Sequence, residues 1–339
     1  MKLLLAGSDE PWSIERHFVK YLRIEGIPVE TVPLQSHFYR YYNRSVVNKL
    51  LYRSGLSGIQ ARLDKEFRSA VEQLNPDVIW VFKGMEITPE SLKWAAARGI
   101  RLVNYNPDNP FIFTGKGSGN KNVRTSIGLY DLHFTYDRDI QEKIKTEYGI
   151  RCLLLPFGFE LSEEHYMAAE GEKEVVRACF LGNPDQQRVI ALSEIADAVP
   201  IDVYGEGWNK FLNHNNIIIH PPVYGEEFWK VLRKYRAQLN LMRIHNPLSH
   251  NMRSFEIPGV GGIGVFPRTR DHSQYFNDGS EVFLYEGLRE CREVLSEVLN
   301  MTEEEAGRIR VSARKKSLDA GYSYHGRTIQ VIKGIQDIL

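Results

Sequence analysis

Short apolar runs recur along the chain. Most end in a Gly, Asn, Asp or Pro turn signal, and most of those turns lead into a stretch of helical periodicity. In the first half, residues 2–6, 27–34, 76–83, 100–105, 129–136 and 151–157 read as strands. Helices are expected between them at 12–25, 61–74, 88–98 and 139–148, the third opened by Thr88-Pro89-Glu90. Residues 161–174 are acidic, lack a strand pattern and read as a linker. The alternation then restarts. Strands are expected at 175–181, 201–204, 217–220, 237–244, 263–266 and 282–285, and helices at 188–198, 225–235, 288–299, 302–319 and 324–339. Thr302 and Glu305 fit a capping box. Continuous apolar strands alternating with helices predict an α/β chain of two doubly wound, mostly parallel sheets. The expected domains are 1–160 and 175–323, with 324–339 as a closing helix able to cross back to the first domain.

Composition narrows this little. The chain has 339 residues, 43 acidic and 43 basic, so no global field points to nucleic acid. Cys152, Cys179 and Cys291 are odd in number and widely spaced, which argues for a reducing compartment and against a cysteine metal site. The opening MKLLLAGSDE is too short an apolar run for a signal peptide, and no segment approaches the ~20 apolar residues of a membrane span. A cytoplasmic protein is expected. Residues 31–63 contain no acid, and within them residues 37–53 interleave Arg40, Arg44, Lys49 and Arg53 with Phe38, Tyr39, Tyr41, Tyr42, Leu50, Leu51 and Tyr52. Such a stretch can lie peripherally on an anionic membrane or receive an acidic acceptor; an ordinary solvated face with inward aromatics fits equally well.

In doubly wound sheets, ligands bind beyond the carboxyl ends of the strands. In the first half those ends carry Gly7-Ser8-Asp9, Gly84-Met85-Glu86 and Asn106-Pro107-Asp108. The Gly7-Ser8 turn lacks the G-x-G-x-x-G dinucleotide pattern, which disfavours an NAD-dependent oxidoreductase. The stretch FTGKGSGNKNVR, 113–124, is not a Walker loop and reads as a mobile loop over the cleft.

The densest chemistry lies at 250–265, HNMRSFEIPGVGGIGV, between two expected strands. Asn251 can cap a short helix, whose N-terminus favours an anion. Arg253 falls in its first turn, where it can hold a phosphate, and Glu256 follows on the same side, where a carboxylate suits vicinal ribose hydroxyls. His245 and His250 flank the loop. Together these residues read as a cradle for a nucleoside diphosphate.

This segment, with its N-M-R-S-F-E-I-P-G-V-G-G run, resembles the donor site of GT-B glycosyltransferases, and within them the spore-maturation-protein (CgeB-like) type. The resemblance implies a GT-B fold: two Rossmann-like domains facing each other across a cleft. It implies transfer of a sugar from a nucleoside-diphosphate sugar, UDP-linked first and GDP-linked second, to a cell-surface glycan, glycolipid or glycoprotein, with no metal or other cofactor. The donor residues it implies are Gly182, Asn183, Arg188, Tyr204, Gly205, His250, Asn251, Arg253, Ser254, Phe255 and Glu256. Gly7, Ser8 and Asp9 would face the acceptor. An inverting enzyme would want a general base on the first domain, with Asp108 first and Glu86 and Asp9 next. One departure stands out. Many retaining relatives carry a further glutamate upstream of Glu256, and residues 246–249 here hold no acid. Rival readings are a GT-B-shaped nucleotide-sugar epimerase or hydrolase, and a non-catalytic nucleotide- or carbohydrate-binding protein.

Overall fold

The computed structural model describes residues 1–113, 118–242 and 249–339. His245 and residues 114–117 of the glycine-rich 113–124 stretch lie outside the described residues. The chain divides into two compact units, 1–156 with 324–339, and 157–323.

The first unit is a six-stranded parallel sheet in the order β2-β1-β3-β4-β5-β6. Its elements begin β1 (Leu3–Ala6), α1 (Ile14–Ile24), β2 (Val29–Val32), α2 (Leu34–Asn43), α3 (Val46–Arg53) and α4 (Ile59–Leu74). They continue β3 (Val78–Phe82), α5 (Pro89–Ala96), β4 (Arg101–Asn106), α6 (Lys121–Ser126), β5 (Leu132–Thr135), α7 (Arg138–Tyr148) and β6 (Arg151–Leu154). β1 and β3 are buried at every position, which is why their sequences are apolar without alternation. The residues 37–53 resolve into two helices because Ser45 caps the second, accepting the Asn48 N–H at 3.0 Å. Phe38 enters the core, whereas α3 buries none of its residues. The C-terminal helix, Tyr324–Gln336, belongs to this unit and stacks Tyr324 on His17 at 4.8 Å.

The second unit repeats the plan with order β12-β11-β10-β7-β8-β9, again all parallel. It opens with α8 (Glu163–Glu170), capped by Ser162 and burying Ala169, so a helix occupies part of the stretch read as a linker. Then come β7 (Val175–Leu181), α9 (Gln186–Ala196), β8 (Ile201–Tyr204), β9 (Ile217–His220), α10 (Gly225–Lys234) and β10 (Tyr235–Leu239). After these follow α11 (Arg253–Gly259), β11 (Gly264–Pro267), α12 (Arg270–Tyr275), β12 (Phe283–Tyr285), α13 (Gly287–Asn300) and α14 (Glu303–Asp319). β10 starts earlier than its apolar pattern predicts because α10 runs straight into it, and both Arg236 and Gln238 are buried in it with bonded side chains. Among the described residues no helix is long and apolar enough to cross a membrane.

Candidate functional site

Beyond the carboxyl ends of β7 and β8 the second unit opens a recess of about 440 Å³. Gly182 and Asn183 form one wall and Tyr204 and Gly205 another; Pro222, Val223 and Tyr224 close the side, and Asn251, Met252 and Arg253 face them. The two glycine turns touch. Gly205 sits at φ +156°, and a Cβ there would collide with the Gly182 carbonyl oxygen and lie 2.7 Å from Trp208 Nε1. That same carbonyl accepts the Trp208 indole N–H at 2.7 Å. Only glycine allows this approach.

Asp185 caps α9 by accepting the Arg188 N–H at 3.0 Å. Arg188 is buried, and its guanidinium donates to the carbonyls of Asn183 (3.1 Å) and Leu241 (2.8 Å). It therefore ties the loop after β7 to the one after β10 while lending positive charge to the recess floor. Asn251 accepts the Ser254 N–H at 3.2 Å, three residues on, as the cap reading expects. It also exchanges amide bonds with Asn240, donating to it at 2.8 Å. Ser254 donates to His272 Nε2 at 2.8 Å, and His272 Nδ1 donates to the Pro267 carbonyl at 2.7 Å. Burial pushes His272 down to about 4, so the ring is neutral and its tautomer is fixed by these two partners.

Arg253 and Glu256 are not independent groups. Their side chains form an ion pair with each other, and the Arg253 guanidinium lies 4.5 Å from the centre of the Phe228 ring. Arg253 lines the recess; Glu256, only 7% exposed, sits behind it. The aromatic shelf under Arg253 had no sequence signal beyond Phe228 falling one helical turn after Tyr224, which also lines the recess.

Three residues read as donor contacts lie elsewhere. His250 is completely buried; its Nδ1 donates to Asp271 at 2.7 Å and its Nε2 accepts the Phe157 N–H at 3.4 Å. Ser249 donates to the same Asp271 oxygen at 2.7 Å. His250 thus fastens α12 to the start of the unit rather than facing the recess. Phe255 is a core residue against Tyr275, Phe276 and Tyr322. Ser254 is fully buried in the Asn251 network.

The first unit carries a recess of about 530 Å³ beyond β1 and β3, lined among others by Ser8, Glu15, Tyr39, Arg40, Lys83 and Pro107. Gly7 supports it from below: a Cβ there would lie 2.8 Å from a Glu15 carboxylate oxygen. Glu15, missed in the sequence, accepts the Ser8 N–H at 3.0 Å, and burial raises its carboxyl. Asp9 turns toward Ser36 and Arg40; the Ser36 hydrogen bond and then the Arg40 charge hold its carboxyl low against a burial cost. Asp108 pairs with Lys83 at 2.7 Å, its own N–H donating to Asn106 at 2.9 Å. Lys83, also missed, has φ +60°, a rare left-handed conformation for a side-chain-bearing residue. Glu86 is buried, and desolvation pushes its carboxyl up to about 7. Asp108 meets Lys83 in space as an ion pair, whereas Glu86 follows Lys83 closely on the chain and is buried with its carboxyl raised. Among the described residues no group of His, Cys, Asp or Glu is arranged to hold a metal ion.

Residues 186–333 match the glycosyl transferase-like family. The match covers α9 to the C-terminal helix, including Arg188, both recess turns of α10 and α11, and Arg253. No curated protein matches the chain in sequence. Solved structures resemble it over nearly its whole length. Sucrose-phosphate synthase (tll1590) from Thermosynechococcus elongatus superposes with a TM-score of 0.68 at 8% identity, covering 100% of this chain and 99% of that one. Anabaena Alr3699/HepE in complex with UDP gives 0.61 at 13% identity, covering 99% and 100%. A UDP-N-acetylglucosamine 2-epimerase homologue from Listeria monocytogenes gives 0.59 at 12%, covering 99% and 95%. The fold is GT-B.

Proposed function

We propose that the protein is a glycosyltransferase of the spore-maturation-protein (CgeB-like) type, using a nucleoside-diphosphate sugar with UDP as the first expected nucleotide. The observation that carries this is the recess of the second unit. It gathers Gly182, Asn183, Arg188, Tyr204, Gly205, Asn251 and Arg253 from three separate segments of the chain around about 440 Å³. The base is expected against Tyr204, Gly205 and the Pro222–Tyr224 segment. The diphosphate is expected between the Gly182-Asn183 turn and Arg253, with Arg188 beneath. As the glycosidic bond breaks, charge grows on the leaving diphosphate, and pre-arranged cations and N–H donors stabilise it. With Arg188 and Arg253 in that role, turnover is expected to survive chelation of divalent metals. The match of 186–333 to the glycosyl transferase-like family and the UDP complex of the Anabaena neighbour support this reading.

The acceptor is expected at the first unit, over Ser8 and Lys83, with Asp9 at the rim. Burial raises the proton affinity of Glu86, and Asp108 is the more exposed of these two candidates for the general base an inverting reaction needs. A cell-surface glycan, glycolipid or glycoprotein acceptor fits the exposed outer face of α3. There Val46 (72% exposed), Val47 (62%) and Leu50 (58%) stand beside Arg44 and Arg53, a combination suited to peripheral contact with the anionic cytoplasmic leaflet. The second reading, a nucleotide-sugar epimerase or hydrolase, is favoured by the Listeria neighbour. Incubation with the nucleotide sugar that binds separates them. Acceptor-dependent release of nucleotide supports the transferase, and turnover of the donor alone at an equal rate without acceptor contradicts it.

A further inference from the structure

The second unit holds another pocket, of about 280 Å³, at the opposite end of its sheet. Arg233 and Gly261 line it, and they precede β10 and β11, whereas the donor recess follows the carboxyl ends of β7 and β8. α14 contributes Arg310, Arg314 and Lys315. Arg310 is buried and fully engaged: it donates to the carbonyls of Arg233, Gly261 and Tyr235 and to Glu174. Glu174 is already shared with Arg236. Arg314 donates to the Gly259 carbonyl at 2.6 Å and lies 3.4 Å from the centre of the Tyr166 ring. Lys315 pairs with Asp319, and Tyr166 donates to Glu170 at 2.6 Å.

Arg233 is different. It is half-buried, yet among the described residues its guanidinium makes no hydrogen bond or ion pair, and Glu170 and Glu174 act on it only at longer range. Gly261 lies beside it at φ +75°, and a Cβ there would stand 3.6 Å from Arg233 Nε and 3.3 Å from the Arg310 carbonyl oxygen. The bare glycine leaves room in front of the guanidinium. The surroundings carry surplus positive charge: Arg233, Arg236, Arg310, Arg314 and Lys315 against Glu170, Glu174 and Asp319. Burial, and then the neighbouring Arg233 charge, push Arg310 down to about 10. A half-desolvated guanidinium without an acceptor beside other cations is costly unless an anion completes it.

We propose that this pocket binds a phosphate group, as inorganic phosphate or a small phosphate ester, through Arg233 with Arg314 and Lys315 at its rim. The site is separate from the donor recess and does not depend on the glycosyltransferase reading. A planar guanidinium in a pocket of this size suits a dianionic tetrahedral oxyanion, which can accept bidentate bonds.

The test is calorimetric titration of inorganic phosphate at fixed ionic strength into the wild type, Arg233→Gln and Arg253→Gln, with sedimentation against phosphatidic-acid vesicles to separate a lipid headgroup from a free phosphate. Binding that weakens about tenfold or more in R233Q and is retained in R253Q supports the site. No binding to the wild type overturns it, as does wild-type affinity in R233Q or an equal loss in R253Q. Should R233Q fail to fold, Lys315→Gln, an exposed side chain, takes its place with a smaller expected loss, and unchanged affinity there overturns the proposal.

Discussion

At the scale of single residues, the Arg253–Glu256 ion pair makes the two side chains one unit. Arg253 faces the recess; Glu256 holds its guanidinium over Phe228 from behind. Arg253→Ala is therefore expected to weaken nucleoside-diphosphate binding by ~1–3 kcal/mol through loss of a charged hydrogen bond. Glu256→Ala should weaken it less, acting through the position of Arg253, and titration calorimetry of both variants separates the two roles. If the glutamate variant loses more affinity than the arginine variant, Glu256 contacts the nucleotide itself. Glu86 offers a pH test. Its carboxyl is raised from 4.5 to about 7 in the fold, so the native state holds this proton more tightly than the unfolded chain. The stabilising contribution is complete below pH 4.5 and is lost as pH rises to about 7, by up to ~3 kcal/mol. Glu86→Gln should remove that slope from a urea-denaturation series, and an unchanged slope would contradict the burial argument. If Glu86 is also the base, wild-type kcat/KM should climb with pH through about 7.

At the scale of elements, the close contact of the two glycine turns makes Gly205 indispensable. Gly205→Ala drives a methyl into the Gly182 carbonyl and the Trp208 indole, and a loss of ~2–4 kcal/mol in denaturant unfolding is expected together with weakened nucleotide binding. A near-native midpoint would show that the turn adjusts easily. On α3, Val47→Glu with Leu50→Glu should leave the thermal midpoint within about a degree, since surface changes away from packed features are nearly neutral. The same pair should abolish sedimentation with anionic vesicles, and equal sedimentation would exclude α3 as the contact. The elements also show how far a sequence reading carries. The apolar strands and their glycine stops were legible because both sheets are parallel and buried on both faces, as in VIWVF of β3. α12 was not, because Arg270–Tyr275 is short and polar, and only its Thr269 cap marks it. α8 was hidden by its acidic composition, although Ser162 caps it in the ordinary way. The turn residues Gly182, Asn183, Tyr204 and Gly205, implied by the GT-B resemblance, sit at strand ends and line the recess. His250 was misplaced because a histidine beside a phosphate-like loop looks the same in sequence as one buried against Asp271, 21 residues later.

At the scale of the whole molecule, the chain repeats one six-stranded parallel plan twice, and each copy opens a recess beyond its strand ends. Arg188 and Arg253 line the second recess, where they suit the diphosphate leaving group proposed above. In the first, the partly buried Lys83 and the buried Glu15 carboxyl share the recess with Ser8, an arrangement suited to the acceptor hydroxyl proposed for it. With Arg188 and Arg253 proposed in the place of a metal, turnover is expected to persist in EDTA; activity that returns only on adding Mg²⁺ or Mn²⁺ would contradict that proposal. The most direct test of the central claim is titration calorimetry of UDP, GDP, ADP, CMP, TDP and NAD into the metal-free wild type and Arg253→Ala. One nucleoside diphosphate, UDP first, is expected to bind the wild type and to bind R253A about tenfold or more weakly. A folded protein that binds none of them, or an R253A variant that binds as the wild type does, would contradict it.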